Sequence, residues 1–175
     1  MKLLSRLPPT RFVAGEFWVE DQQGRCIFGP LRARGEADNT GAATHDNPEE
    51  DPTQLYGDHP SGFYRVTAIA HPDPHRYGPA FLVLDPLEGE ALEAKRTGRT
   101  GLGIHGGRLH ADGRLRETFG CLRVDNATLD RVVELVTPEL TAGRIVFYEC
   151  VIAEGPFPFS TSNSGLGTSD IRKLT

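Results

Sequence analysis

The sequence is short of several things. It has three cysteines, one methionine, one tryptophan and no long apolar run. Three cysteines are too few, and odd in number, for a disulfide scaffold. Cys26 and Cys150 lie in strand-like runs and are read as buried thiols or as one bridge. No stretch approaches the roughly 20 apolar residues of a helical span, so no membrane span is expected. The segment 1–9 carries positive charge but too little apolar length for a secretory signal. Three options stay open on that point: a trimmed signal, another export route, or residence in the cytoplasm. An excess of positive charge is missing too. The formal net charge is −5, and phosphate binding calls for a basic surface, so no nucleic-acid partner is expected.

What the chain has in quantity is glycine (20) and proline (13) among 175 residues. Both punctuate structure, which favours many turns and short strands over long helices. The 175 residues are read as one domain, with a core over 12–152 and a C-terminal extension over 153–175. Residues 12–20 alternate as a strand, with Phe17 and Val19 on one face and Trp18 on the other. Residues 25–28 return from a turn at 21–24 and complete a hairpin. Residues 63–69 form a further strand, with Tyr64, Val66 and Ala68 facing one way, and residues 81–84 a short buried one. A short helix is expected over 87–95. A better one covers 128–136, with Leu129, Val132, Val133 and Val136 at helical spacing, Asn126 as N-cap and Pro138 as its end. Residues 144–152 are rich in β-branched and aromatic residues, as a central strand requires. The tail over 157–175 is read as an extended or fraying arm. The expected class is mainly β, a sandwich or barrel-like domain with one or two short helices.

Charge is spread unevenly. Between Glu36 and Pro60 there are seven acids and no Lys or Arg. A loop of this length inside a domain tends to be functional or mobile. Between Lys95 and Arg123 there are seven bases and two acids. The second run is either a solvated face or a basic rim that attracts an anionic substrate.

Inside that run lies the segment that carries chemistry. It reads Gly103-Ile104-His105-Gly106-Gly107, and later Thr118-Phe119-Gly120-Cys121-Leu122-Arg123. A thiol attacks carbonyls as the thiolate, and an ordinary Cys, with a pKa of about 8.5, needs a proton acceptor nearby. His is the usual one. Gly before the Cys permits a sharp turn and exposes amides that can stabilise an oxyanion. Arg two residues after the Cys can hold a carboxylate bidentately. Rivals are a zinc site from His105, His110 and Cys121 with His71 or His75, and a calcium site from Asp38, Asp46, Glu49 and Asp51. Neither has familiar ligand spacing. A cysteine phosphatase needs Arg six residues after the Cys, where this chain has Ala127.

The two motifs, with a separation of 16 positions from His105 to Cys121, resemble the L,D-transpeptidases, cysteine enzymes of the YkuD type. That family shows His-Gly, a spacer, then Ser/Thr-x-Gly-Cys-Ile/Val-Arg, and an upstream Thr-Pro-x-Gly-x-Phe/Tyr. Residues 58–66 stand in the upstream place, and the resemblance spans roughly residues 12–152. Phe119 stands where many members have His, and Leu122 replaces Ile or Val. The resemblance implies a mixed-sheet β-sandwich, Cys121 as nucleophile and His105 as base. It also implies orienting or oxyanion roles for Gly106, Gly120 and Thr118, and substrate contacts from Arg123, Phe119 and Tyr64. It implies no cofactor and no metal. Its substrates would be peptidoglycan stem peptides at the cell envelope or periplasm, with transpeptidase, L,D-carboxypeptidase or exchange outcomes left open. The alternatives are an antibacterial effector with a secretion-system or immunity-protein partner, and a module that binds such peptides without cleaving them.

Overall fold

The computed structural model describes residues 1–157. The expected tail therefore lies, from residue 158 on, outside the described residues. Eight strands form a single mixed sheet. They are β1 (Lys2–Leu7), β2 (Gly15–Glu20), β3 (Cys26–Ala33), β4 (Gly62–Ala70), β5 (Phe81–Glu88), β6 (Gly103–His105), β7 (Leu122–Arg123) and β8 (Val146–Ile152). The helices are α1 (Asn39–Thr44), α2 (Pro74–Tyr77), α3 (Glu90–Arg96) and α4 (Asn126–Thr141). The domain is mainly β, as expected.

The sheet runs β3-β2-β1-β8-β4-β5-β6-β7. Pairing is parallel at β1–β8 and β6–β7 and antiparallel elsewhere. The two edges then meet. Arg34, just past β3, exchanges both backbone hydrogen bonds with Arg123 of β7, at 2.9 and 2.8 Å. One bridge thus nearly closes the sheet into a barrel-like form, which hides two open edges.

Segment 1–9, weighed above as a signal, contains a strand. Leu3, Ser5 and Leu7 point inward and are buried, while Lys2 and Arg6 reach Glu149 and Glu16 at the surface. Tyr64 and Val66 share the buried face of β4 as expected, but Ala68 is exposed. A bulge between Val66 and Ala68 shifts the register against β5, and Ile69 packs on the core in its place. Strand β5 runs on to Glu88, so the third helix starts at Glu90.

Helix α4 packs on β4 and β8. It buries Leu129, Val132 and Val136, each contributing about 1.5–3 kcal/mol relative to exposure. Its cap is Asp125, not Asn126: one carboxylate oxygen accepts from the Thr128 amide at 2.8 Å. Pro138 does not end it, and the helix continues to Thr141. Strand β8 is central, between β1 and β4. All three cysteines are free; Cys26 is exposed, contrary to the buried or bridged reading, and Cys150 is buried.

Candidate active site

His105 and Cys121 are brought together by the parallel pair β6–β7. Ile104 pairs with Leu122 and His105 with Arg123. Side chains alternate along a strand, so Ile104 and Leu122 enter the core, both fully buried. His105, Arg123 and Cys121 then share the opposite face and line one cleft of about 1000 Å³. Gly103, two residues before His105, leaves room for the Phe81 ring, which a side chain there would strike. That ring stacks on the imidazole at 5.7 Å with 12° between planes, and Tyr77 meets it edge-on at 5.1 Å.

The tautomer of His105 follows from its partner. Nδ1 lies 2.7 Å from the carbonyl oxygen of Gly106, which can only accept, so Nδ1 carries the proton. Nε2 keeps its lone pair. Burial holds the imidazole neutral, its pKa lowered to about 4, and the Arg123 cation pushes the same way. Arg123 in turn donates from Nη1 to the same Gly106 oxygen at 2.8 Å. This side chain, expected to contact substrate, therefore spends one amino group on the residue that orients the base.

Cys121 is 9% exposed. Its Sγ lies 3.6 Å from the carbonyl of Gly101. Burial pushes the thiol up to about 11, against the pull of the Gly103 amide and the Arg99 and Arg123 cations. Burial thus favours thiol and neutral imidazole over thiolate and imidazolium in the free protein.

The loop before Cys121 is held from several sides. Thr118 Oγ1 donates to the Cys121 carbonyl at 2.8 Å and accepts from the Gly120 amide at 3.0 Å. The Gly120 carbonyl accepts from His59 Nδ1 at 3.0 Å. Gly120 has φ +104 and sits against the Arg99 guanidinium and the Gly57 carbonyl, where no β-carbon fits. The His-Gly loop has its own clamp: Asn126 Oδ1 accepts from the Gly107 amide at 2.8 Å. Asn126, read from sequence as a helix cap, serves the site instead.

The segment between Glu36 and Pro60 is not a solvated acidic loop throughout. Glu36 and Asp58 are buried; Glu36 pairs with Arg34, and Asp58 accepts from the Ala37 amide at 2.8 Å. The segment is tied to the nucleophile loop through Thr118, whose carbonyl accepts from the Asp38 amide at 2.7 Å. It contributes Asp38, Leu55 and Tyr56 to the cleft.

Phe119 stands at the cleft lip, 50% exposed, with its ring edge-on to Tyr56, which stacks on His45. Tyr64 does not reach the cleft. It is fully buried, with its hydroxyl donating to the Pro60 carbonyl at 2.6 Å. Of the seven bases between Lys95 and Arg123, four line the cleft: Arg99, Arg108, Arg116 and Arg123. Arg76 joins them from α2. Lys95, Arg96 and Arg114 pair instead with Asp85, Glu93 and Asp112. Of the weighed metal ligands, His110 binds Glu117, and Asp51 accepts from Thr53 and Gln54. Among the described residues no three His, Cys, Asp or Glu side chains converge as a metal site, and no helix is long and apolar enough to cross a membrane.

No protein-family profile and no curated protein matches the sequence. Solved structures do match. A mutant of Pgp2, the helical cell shape determining protein from Campylobacter jejuni, is 19% identical, with a TM-score of 0.54 over 89% of this chain and 48% of that one. The chain shares the fold of that half of Pgp2. A second Pgp2 structure is 18% identical with a TM-score of 0.49 over 89% and 49%. Bd1075 from Bdellovibrio bacteriovorus is 14% identical with a TM-score of 0.45 over 75% and 43%. The chain spans about half the length of the Pgp2 structures.

Several site residues escape the sequence motifs: Arg99, Asn126, Phe81, Tyr77 and His59. They share no spacing with Cys121, because the chain reaches the cleft from separate strands and loops. Two buried histidines also set an acid limit on the fold. His59 is lowered to about 3 and His105 to about 4, both by burial. An unfolded His titrates near 6.5, so between these values the unfolded chain binds more protons and stability falls as pH drops. At pH 5.5 each costs about 1.4 kcal/mol relative to neutral pH. Glu50 and Asp58, raised by burial, oppose this. Denaturant melts at pH 7.5 and 5.5 should show the loss. His59→Asn should shrink it, and an unchanged pH slope would exclude His59 as a source.

Proposed function

We propose that this domain is a cysteine acyltransferase acting on peptidoglycan stem peptides through a thioester on Cys121. The observation that carries the reading is the His105 tautomer. An imidazole with Nδ1–H fixed to a carbonyl and Nε2 free, on the strand beside a cleft-lining thiol, is arranged as a general base. In the proposed step Nε2 accepts the thiol proton as Sγ attacks an amide carbonyl. The C–N bond breaks, His105 returns the proton to the leaving amine, and a thioester remains. An amine from a second peptide completes transpeptidation, a free D-amino acid gives exchange, and water gives carboxypeptidase activity.

The surroundings support an acidic peptide substrate. Arg108 and Arg116 are exposed at the cleft and make no ion pair among the described residues. They are placed to meet carboxylates, with the remaining amino group of Arg123 nearer the reacting atoms. Phe119 and Tyr56 offer an apolar lip to the rest of the substrate. The Gly120 amide is committed to Thr118, which leaves the Cys121 amide as the backbone donor for the oxyanion. The reading agrees with the shared fold, since a protein that determines cell shape fits wall chemistry. It places the work of this domain at the cell envelope.

The test is incubation of the purified protein with a stem tetrapeptide, alone and with an acceptor peptide, read by mass. Loss of the terminal residue or formation of a cross-linked product, with a thioester trapped on Cys121, is the expected result. An unchanged tetrapeptide and an unmodified Cys121 would overturn the reading.

A further inference from the structure

Behind the nucleophile loop lies a polar chain that the step above does not use. Ser5 Oγ is 2.7 Å from Tyr148 Oη, Tyr148 Oη is 3.1 Å from His59 Nε2, and His59 Nδ1 is 3.0 Å from the Gly120 carbonyl oxygen. All three side chains are buried, in β1, in β8 and just before β4. A buried polar group without a partner costs free energy, so a chain this complete has one consistent direction of donation. The Gly120 carbonyl only accepts, so His59 carries its proton on Nδ1. Nε2 then accepts from Tyr148, and Tyr148 accepts from Ser5. The chain begins in the first strand and ends on the peptide group that precedes the nucleophile.

That peptide group is the Gly120–Cys121 bond, and it is trans. In a trans peptide the C=O and the following N–H point in opposite directions. His59 is fully buried and does not line the cleft. Its hydrogen bond therefore draws the Gly120 carbonyl away from the cleft and turns the Cys121 N–H toward it. Gly120, at φ +104, is free to take this orientation as well as others. Something has to select it, and the other two bonds at this loop leave the peptide plane to His59. Thr118 fixes the Gly120 N–H and the Cys121 carbonyl, which belong to the peptide groups on either side.

We infer that His59, supported by Tyr148 and Ser5, is a positioning residue that aims the Cys121 amide at the developing oxyanion. The inference rests on the acyltransferase reading. It separates two reactions of the same thiol. Acylation by a β-lactam forms an S–C bond, breaks the lactam C–N bond and passes through an oxyanion, with the thiol proton ending on the nitrogen. Alkylation by iodoacetamide forms an S–C bond, breaks the C–I bond and expels iodide, with the thiol proton passing to solvent and no oxyanion formed. Only the first needs the aimed amide.

The experiment compares the two rates at Cys121 in a Cys26→Ser background, since Cys26 is exposed, with a carbapenem and iodoacetamide as probes and intact mass with peptide mapping as readout. His59→Leu should slow acylation on the order of 100-fold and leave alkylation within about twofold. His59→Asn, whose amide nitrogen can replace Nδ1 as donor, should recover most of the acylation rate. Tyr148→Phe removes one oxygen from a filled site and should slow acylation by roughly tenfold, again with normal alkylation; it carries the test if His59→Leu does not fold. Parallel loss of both rates would make His59 a support of the loop in general and overturn the inference. An unchanged acylation rate in His59→Leu or Tyr148→Phe would overturn it as well. A wild-type protein that is alkylated but never acylated would overturn the acyltransferase reading, and the inference with it.

Discussion

Cys121→Ala is expected to lower product release from a stem tetrapeptide by at least about 10⁴-fold, because it removes the thiol on which the proposed acyl intermediate forms. Cys150 is buried in β8 and Cys26 lies exposed at the start of β3, so neither can substitute. Peptide binding should persist, since the cleft arginines and the aromatic lip are untouched. Retained turnover in Cys121→Ala would refute the mechanism. The pH dependence of the wild type carries a second expectation. With the thiol near 11 and the imidazole near 4 in the free protein, the pair is neutral across the physiological range. The base works only when unprotonated, so kcat/KM should be lost as pH falls through about 4 and level off above it. Alkylation of the free thiol should instead climb with pH well beyond 8. A plateau in alkylation near pH 6 would mean a resting thiolate and a preformed ion pair.

Gly120→Ala is expected to destabilise the fold and disable the site together. The residue has φ +104, which costs an L-residue roughly 1–2 kcal/mol. The added carbon would also collide with the Arg99 guanidinium, itself buried and donating to the Gly57 and Pro52 carbonyls. Displacing a buried cation from such bonds costs about 1.5–3 kcal/mol for each one lost. With both bonds lost the sum is about 4–8 kcal/mol, comparable with the whole stability of an ordinary domain. A fall in Tm of roughly 10–20 °C should follow for a chain of this size. Gly98→Ala is the control. Gly98 has φ +93 and no atom within 4 Å of a built β-carbon, so it reports the backbone cost alone. Equal melting temperatures for the two variants would show that the Arg99 contact does not matter. Where Gly120→Ala still folds, acylation of Cys121 should be lost, because the peptide before the nucleophile can no longer hold its plane.

The strands with strong alternation were legible in the sequence, and for a simple reason. In β2 and β4 one face is buried, and Phe17, Val19, Tyr64 and Val66 mark it at every second position. The failures have physical causes of their own. A bulge carries one extra residue without any change of composition, so Ala68 fell on the wrong face. In β1 the inward positions are Leu3, Ser5 and Leu7, and a serine breaks the apolar signal because its partner, Tyr148, is 143 residues away. Asn126 looks like a cap because it precedes a helix. Only the approach of Gly106 and Gly107 shows that its amide is used elsewhere. Tyr64, expected to touch substrate, lies wholly within the core and holds Pro60 instead.

By itself the sequence determined a mainly β domain, a His-Gly segment and a Gly-Cys-x-Arg segment 16 residues apart, because backbone periodicity and local turn chemistry act over a few residues. The tertiary structure decided the rest. Burial, which no local pattern reports, makes the pair neutral. The registry of β6 with β7 puts His105 beside Arg123 and turns that arginine toward Gly106. The closure of the sheet at Arg34 and Arg123, and the chain from Ser5 to Gly120, join residues far apart in sequence. Their bonds depend on long-range packing, which no local pattern in the sequence encodes.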